Sequence, residues 1–170
     1  MNYNKKLYNI VYYKVFYYFC RKFKLNDMIT REYTITTREI SQKEIWDLIT
    51  DVNNWKLWDK EVVDSYIEGD FQAGKSYMLH PKGAGKLNVF IEEVVPNSYY
   101  RDVTKFPLAQ LYDEHLYENT TDGLKITIKL TMKGLLSPIW YILVMKDMTK
   151  QLANDIAKQI DVIKKVRTKL

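Results

Sequence analysis

The sequence predicts an α+β domain in which an antiparallel sheet lies against a long C-terminal helix. Three observations predict it. Six strand-like segments follow one another between short turns, with no helix among them. After them a run without Pro or Gly extends from Ile139 to the C-terminus with apolar residues at three- and four-residue steps. The chain has 170 residues, room for one core plus an appendage.

The elements follow in order. Residues 31 to 38, Arg-Glu-Tyr-Thr-Ile-Thr-Thr-Arg, favour a first strand. Ser41 with Glu44 is a capping-box signature that opens a helix carrying Ile45, Trp46, Leu48 and Ile49. A short turn containing Trp55, Leu57 and Trp58 follows. The six segments are 61 to 68, 75 to 80, 86 to 95, 98 to 104, 109 to 118 and 124 to 132, and their separators suit hairpins. In the last, Ile126, Ile128, Leu130 and Met132 share one face while Lys125, Thr127, Lys129 and Thr131 share the other, so one side of the sheet is wet. The faces of 98 to 104 are ambiguous, because Tyr99 and Tyr100 suit either side. Ser137-Pro138 supplies an N-cap and a first-turn proline for one long helix, whose stripe is Ile142, Met145, Thr149, Leu152, Ile156, Ile160 and Ile163.

The charge divides unevenly. Residues 1 to 27 hold Lys5, Lys6, Lys14, Arg21, Lys22 and Lys24 against Asp27 alone, so this leader holds the whole net charge of +5. The body, 28 to 170, is formally neutral, which excludes a basic nucleic-acid surface there. From Leu7 to Cys20 the leader is nearly continuous aromatic and apolar sequence, shorter than the roughly 20 residues of a membrane span. No small-residue cleavage site follows it. It is read as a basic aromatic helix suited to the membrane interface, as a helix docked on the body, or as an extension upstream of a start at Met28. The single cysteine, Cys20, excludes an internal disulfide and fits a cytoplasmic setting, with the leader at the inner face of the membrane.

Glu44-Ile45-Trp46-Asp47-Leu48-Ile49-Thr50-Asp51-Val52, Trp55-Lys56-Leu57-Trp58 and Val62 occur in an order that resembles the START-like (SRPBCC) superfamily, and within it the polyketide cyclase/dehydrase and lipid-transport family. Gly69 to Gly74, Glu114-His115-Leu116-Tyr117 and Met132-Lys133-Gly134 add to the resemblance, which covers residues 31 to 168. It implies a helix-grip (START/Bet v 1-like) fold, a curved seven-stranded antiparallel sheet around the C-terminal helix, with the leader outside it. In that resemblance the tryptophans and Asp51 are packing and capping elements. Members bind lipids, sterols, quinones, polyketides or plant hormones, some are cyclases, and some are chaperone co-factors.

Several features bear on function. Gly69 to Ser76 matches G-x-x-x-x-G-K-S, but a strand-like run follows where a phosphate loop needs a helix, so nucleotide binding is not expected. His80 and His115 are the only histidines, which excludes a His-rich metal centre, and no cofactor is expected. Asp113, His115 and Tyr117 alternate along one strand and, with Glu114 and Glu118 turned to water, face the long helix. There they either hydrogen-bond one another or a ligand, or act as base (His115), orienting group (Asp113) and oxyanion donor (Tyr117) of a cyclase or dehydratase. The resemblance implies a tunnel between sheet and helix. Its lining would be Leu87, Val89, Ile91, Ile128, Leu130, Met145 and Leu152, with Thr149 and the Asp113–His115 pair as polar marks for a hydrophobic small molecule or lipid. A third expectation is an interaction module like the chaperone activators.

Overall fold

The structure, a computed structural model, describes residues 28–168. The aromatic leader expected over residues 1 to 27 lies outside the described residues. Seven strands form one antiparallel sheet: β1 (Ile29–Thr37), β2 (Val62–Ile67), β3 (Ser76–Pro81), β4 (Leu87–Val95), β5 (Tyr99–Phe106), β6 (Ala109–Thr120) and β7 (Gly123–Lys133). Their order is β1-β7-β6-β5-β4-β3-β2, so the six strands β2 to β7 are neighbours in sequence order and β1 closes on β7. Between β1 and β2 stand α1 (Gln42–Thr50), a 3₁₀ turn (Val52–Asn54) and α2 (Trp55–Trp58). After β7 come α3 (Ser137–Trp140), a π-helical turn (Tyr141–Met145) and α4 (Lys146–Arg167).

Local chemistry accounts for the element ends. Ser41 Oγ accepts from the Glu44 amide while Glu44 Oε2 accepts from the Ser41 amide at 2.8 Å, completing the capping box of α1. Asp51 ends that helix and accepts two hydrogen bonds from Asn54 Nδ2, at 2.9 and 3.0 Å. Gly134 has φ +128°, and a Cβ there would lie 2.5 Å from the Leu108 carbonyl oxygen, so only glycine lets β7 leave the sheet beside the β5–β6 turn.

Two sequence expectations at the long helix are corrected. The N-cap is Leu136 rather than Ser137, because the chain already turns through Leu136 N–H to Leu108 O, so Ser137 is the first helical residue. The helix is also not one unbroken α-helix. The π-helical turn inserts an extra residue, which rotates the preceding stripe out of phase with the following one. Met145 is consequently fully buried while Ile142, expected on the same stripe, is 61% exposed.

The core lies on the concave face. Ile126, Ile128, Leu130 and Met132 of β7 pack with Leu152, Ile156, Ile160 and Ile163 of α4 and with Ile45, Trp46 and Ile49 of α1. A second cluster, Val52, Ile67, Tyr77, Val89 and Ile91, lies toward the β2 edge, and Phe71 and Val94 pack against both. The C-terminal end of α4 is clamped to the start of α1. Arg167 Nη2 donates to Glu44 Oε1 at 2.6 Å and to Oε2 at 2.7 Å, and Lys164 pairs with Glu39.

The Arg167 guanidinium, followed by the Ser41 backbone amide, lowers the Glu44 carboxyl to about 2. Its folded value is below its unfolded one, so the stabilisation is present above about pH 4.5 and is lost as pH falls towards 2. Arg167→Ala is expected to cost about 1 kcal/mol at neutral pH, discounted for the exposure of both partners. Urea unfolding at pH 7 and again near pH 2 checks this: the gap between variant and parent should close in acid.

Candidate functional site

The strand pairing places a polar cluster in the middle of the concave face. Asp102 of β5 stands opposite Asp113 of β6, and Tyr100 stands opposite His115. Since cross-strand partners point to one side, Tyr100, Asp102, Asp113, His115 and Tyr117 share the face that carries the core. Tyr77 of β3 joins them, donating from its hydroxyl to Asp102 Oδ2 at 2.6 Å. The His115 ring stacks on Tyr100 with centroids 4.4 Å apart, and its Nδ1 is 3.3 Å from the Tyr117 hydroxyl. Trp46 from α1 meets Tyr100 and Tyr117 edge-on, and Phe71 meets Tyr100 and Tyr77, so rings from three elements wall the cluster.

Asp113 is the exception to this satisfaction. His115 Nε2 lies 3.1 Å from its Oδ1, but not in hydrogen-bonding geometry. Oδ1 is buried and receives no hydrogen bond, alone among buried side-chain polar atoms of the described residues. The Asp113 side chain is 23% exposed, whereas Tyr77, Tyr100, Asp102 and Tyr117 are each at 5% or less. The cluster therefore opens at Asp113.

Its electrostatics centre on the two carboxyls. Burial, and then the adjacent Asp113 carboxylate, push the Asp102 carboxyl well above the usual range, against a smaller opposing effect of the Tyr77 hydrogen bond. Like charges directly opposite on neighbouring strands repel, which favours the protonated form of Asp102. Burial first, and the aspartates after it, also raise the Tyr77 phenol; Tyr100 and Tyr117 are raised by burial first and by Asp113 among the charges behind it. Burial at this cluster thus favours the protonated forms of Asp102 and of the Tyr77, Tyr100 and Tyr117 phenols.

The other sequence-selected residues are divided between two regions. Ile128, Leu130, Met145 and Leu152 belong to the main core with Tyr117. Val89 and Ile91 belong to the second cluster, and Leu87 packs against it half-buried. Phe71 and Val94 pack against both groups, and the Tyr77 hydroxyl, from the second, reaches Asp102. Thr149 is not a free polar mark, because its hydroxyl donates to the Met145 carbonyl one helical turn earlier at 2.8 Å. The 69-to-75 loop joins β2 to β3, Lys75 Nζ donates to the Glu68 carbonyl, and Ser76 opens a strand. Sequence reasoning missed Tyr77, Tyr100 and Asp102. The signal that finds them is parity: once Tyr100 pairs with His115, Asp102 must face the same way.

No protein-family model matches the sequence, and no curated protein does. Solved structures match along most of the chain. The aromatase/cyclase Zhui from Streptomyces sp. R1128 covers 81% of this chain and 94% of its own, with TM-score 0.61 and 14% identity. Ara h 8.0201 covers 79% of this chain and 95% of its own, with TM-score 0.63 and 16% identity. The chain has the START-like helix-grip fold. Norcoclaurine synthase from Thalictrum flavum shares the helix-grip fold over 86% of this chain and 90% of its own, at TM-score 0.62 and 12% identity. That enzyme is also solved with dopamine and hydroxybenzaldehyde. No helix among the described residues of this helix-grip protein is long and apolar enough to cross a membrane.

Proposed function

We propose that the protein binds a small hydrophobic molecule, aromatic or lipid-like, that carries a hydroxyl or amine hydrogen-bond donor, between the middle strands and α4. Asp113 Oδ1, which is buried and receives no hydrogen bond, carries this reading. A buried acceptor without a donor costs about 1 to 3 kcal/mol, and a ligand donor would remove that cost. The position suits it: α4 approaches α1 and β1 more closely than β4, β5 or β6, which leaves the face over Asp113 to side chains. The half-buried Phe71 ring offers an aromatic body a contact. The dopamine and hydroxybenzaldehyde held by a neighbour of the same fold support a phenol-bearing ligand.

Native mass spectrometry of protein purified under mild extraction is the test, followed by titration with fatty acids, phenols and a hydrophobic dye. A mass increment matching a donor-bearing apolar compound is expected. Asp113→Ala, which removes the acceptor, should weaken that compound about tenfold or more, with little change in melting temperature. A protein that emerges empty and takes up none of the probes would sink the proposal.

A cyclase or dehydratase reading has one observation in its favour, the contact chain Asp113–His115–Tyr117. Binding is the stronger reading, because a base must reach a substrate proton, and both His115 nitrogens face protein partners while its ring is covered by Tyr100. If a turnover assay is found, His115→Ala losing turnover with ligand affinity intact would favour the enzyme.

A further inference from the structure

One end of the fold combines exposed apolar side chains with an excess of basic charge. The β5–β6 turn, the start of β1, and the segment from the end of β7 through the π-helical turn meet there. Leu136 N–H bonds to Leu108 O, Trp140 Nε1 donates to Pro107 O at 3.0 Å, and Trp140 stacks on Phe106 with centroids 4.6 Å apart. Arg31 of β1 reaches the Tyr141 hydroxyl at 3.2 Å, which ties the third segment in.

At this end Leu108, Ile142 and Leu143 are 63%, 61% and 64% exposed, with Met28 and Leu135 exposed beside them. Ile142 and Leu143 face water because of the π-helical phase shift, not because the helix ends. Leu108 occupies a left-handed turn position at φ +55°, where Gly or Asn is the ordinary choice and a branched apolar residue carries strain. Neither feature serves the core.

The charge is mostly basic, with Glu32 beside Arg31 on β1 opposite Lys129. Segments 28 to 31, 103 to 112 and 133 to 146 contain Arg31, Lys105, Lys133 and Lys146 and no Asp or Glu. Lys105 and Lys133 make no ion pair among the described residues, and both line a shallow groove of about 370 Å³ with Phe106 and Leu108. The nearest acid along the helix, Asp147, is already paired with Lys150 at 2.8 Å. The chain also enters the fold here, because Ile29 pairs with Met132, so residues 1 to 27, with their +5 charge and aromatic composition, join the body at this end.

We propose that this end of the fold is a docking surface for an anionic lipid bilayer. Exposed aliphatic side chains ringed by unpaired lysines match the two attractions of such a surface, burial at headgroup depth and charge. A second protein would have to bring an acidic surface shaped to this end, whereas a bilayer needs only exposed apolar side chains beside basic charge. The leader, joined at the same point, adds a second contact to one membrane, and one weak contact needs another to hold. The proposal is independent of what the concave face binds.

Co-sedimentation of the full chain with phosphatidylcholine vesicles, with and without phosphatidylserine, tests it. Binding is expected to require phosphatidylserine and to fall as salt rises. Ile142→Ser combined with Leu143→Ser should weaken the partition about tenfold or more, as should Lys105→Glu combined with Lys133→Glu. Leu57→Ser, at an equally exposed site on α2 against the opposite sheet edge, should leave it unchanged. The exposed positions predict unaltered melting temperatures for all these variants. Vesicle binding that both double variants retain in full would overturn the proposal, since the leader alone would then account for it. So would a full chain that ignores anionic vesicles. A drop in melting temperature with stronger vesicle binding in the Ile142/Leu143 variant would overturn it too, by showing that another part of the chain covers the patch. A dimer that this variant dissociates, without a change in lipid binding, would assign the patch to a second copy instead.

Discussion

Ile156→Ala is expected to destabilise the protein by about 2 to 5 kcal/mol, the range for truncating a fully buried aliphatic side chain. Ile156 has no exposed surface and sits where α4 meets both β7 and α1. The cavity left there cannot collapse easily, because its walls come from three elements that are separately fixed: β7 by its ladders, α1 by its capping box, and α4 by the Arg167–Glu44 clamp. Chemical denaturation followed by tryptophan fluorescence measures the loss. A change below about 1 kcal/mol would mean that α4 is not gripped at this position. Val166→Ala, one of the exposed positions on the same helix, serves as the internal contrast and should shift stability by no more than about 0.5 kcal/mol.

The second large effect concerns Asp102. Its carboxyl is pushed well above the usual range, chiefly by burial and then by Asp113, so folding takes up a proton once pH exceeds the unfolded value near 4. A raised carboxyl makes the protein most stable in mild acid, with stability falling as pH rises from about 4 until the folded value is passed. Asp102→Asn has no proton to take up, and its side-chain oxygen can still accept from the Tyr77 hydroxyl. The variant is expected to match the parent near pH 4 and to exceed it by about 1 to 3 kcal/mol at higher pH, the scale of a buried polar group's desolvation. Denaturation curves at pH 4, 6 and 8 decide it. A constant difference across that series would show that Asp102 is not the titrating group.

Much of the fold is legible because its signals are local. The β7 alternation of Ile126, Ile128, Leu130 and Met132 against lysines and threonines requires only that one face be wet. The capping box at Ser41 and Glu44 is satisfied within four residues. Asp113, His115 and Tyr117 are collected by period two on a single strand, so their mutual contacts can be read without knowing the partner strands. Asp102 cannot be found that way. Its segment alternates polar and aromatic residues on both faces, and only the pairing of Asp102 with Asp113 decides which face is inward.

The π-helical turn escapes for a related reason. A single inserted residue leaves the composition of the helix unchanged and alters only the phase, so Ile142 keeps its place in the sequence stripe while turning to water. That Val89 and Ile91 pack in one cluster and Met145 and Leu152 in another is equally a matter of tertiary packing, with Phe71 touching both.

Periodicity and caps in the chain were enough to specify an antiparallel sheet, its wet face, the long helix, and the placing of all excess positive charge in the first 27 residues. Cross-strand register and helix phase were needed for the rest. Those alone set Asp102 against Asp113, left one Asp113 oxygen without a donor, and gathered Leu108, Ile142 and the unpaired lysines at the end where the leader joins. The reason is physical: secondary structure answers to neighbours a few residues away, whereas charge pairing and surface patches answer to residues that only folding brings within a few ångströms.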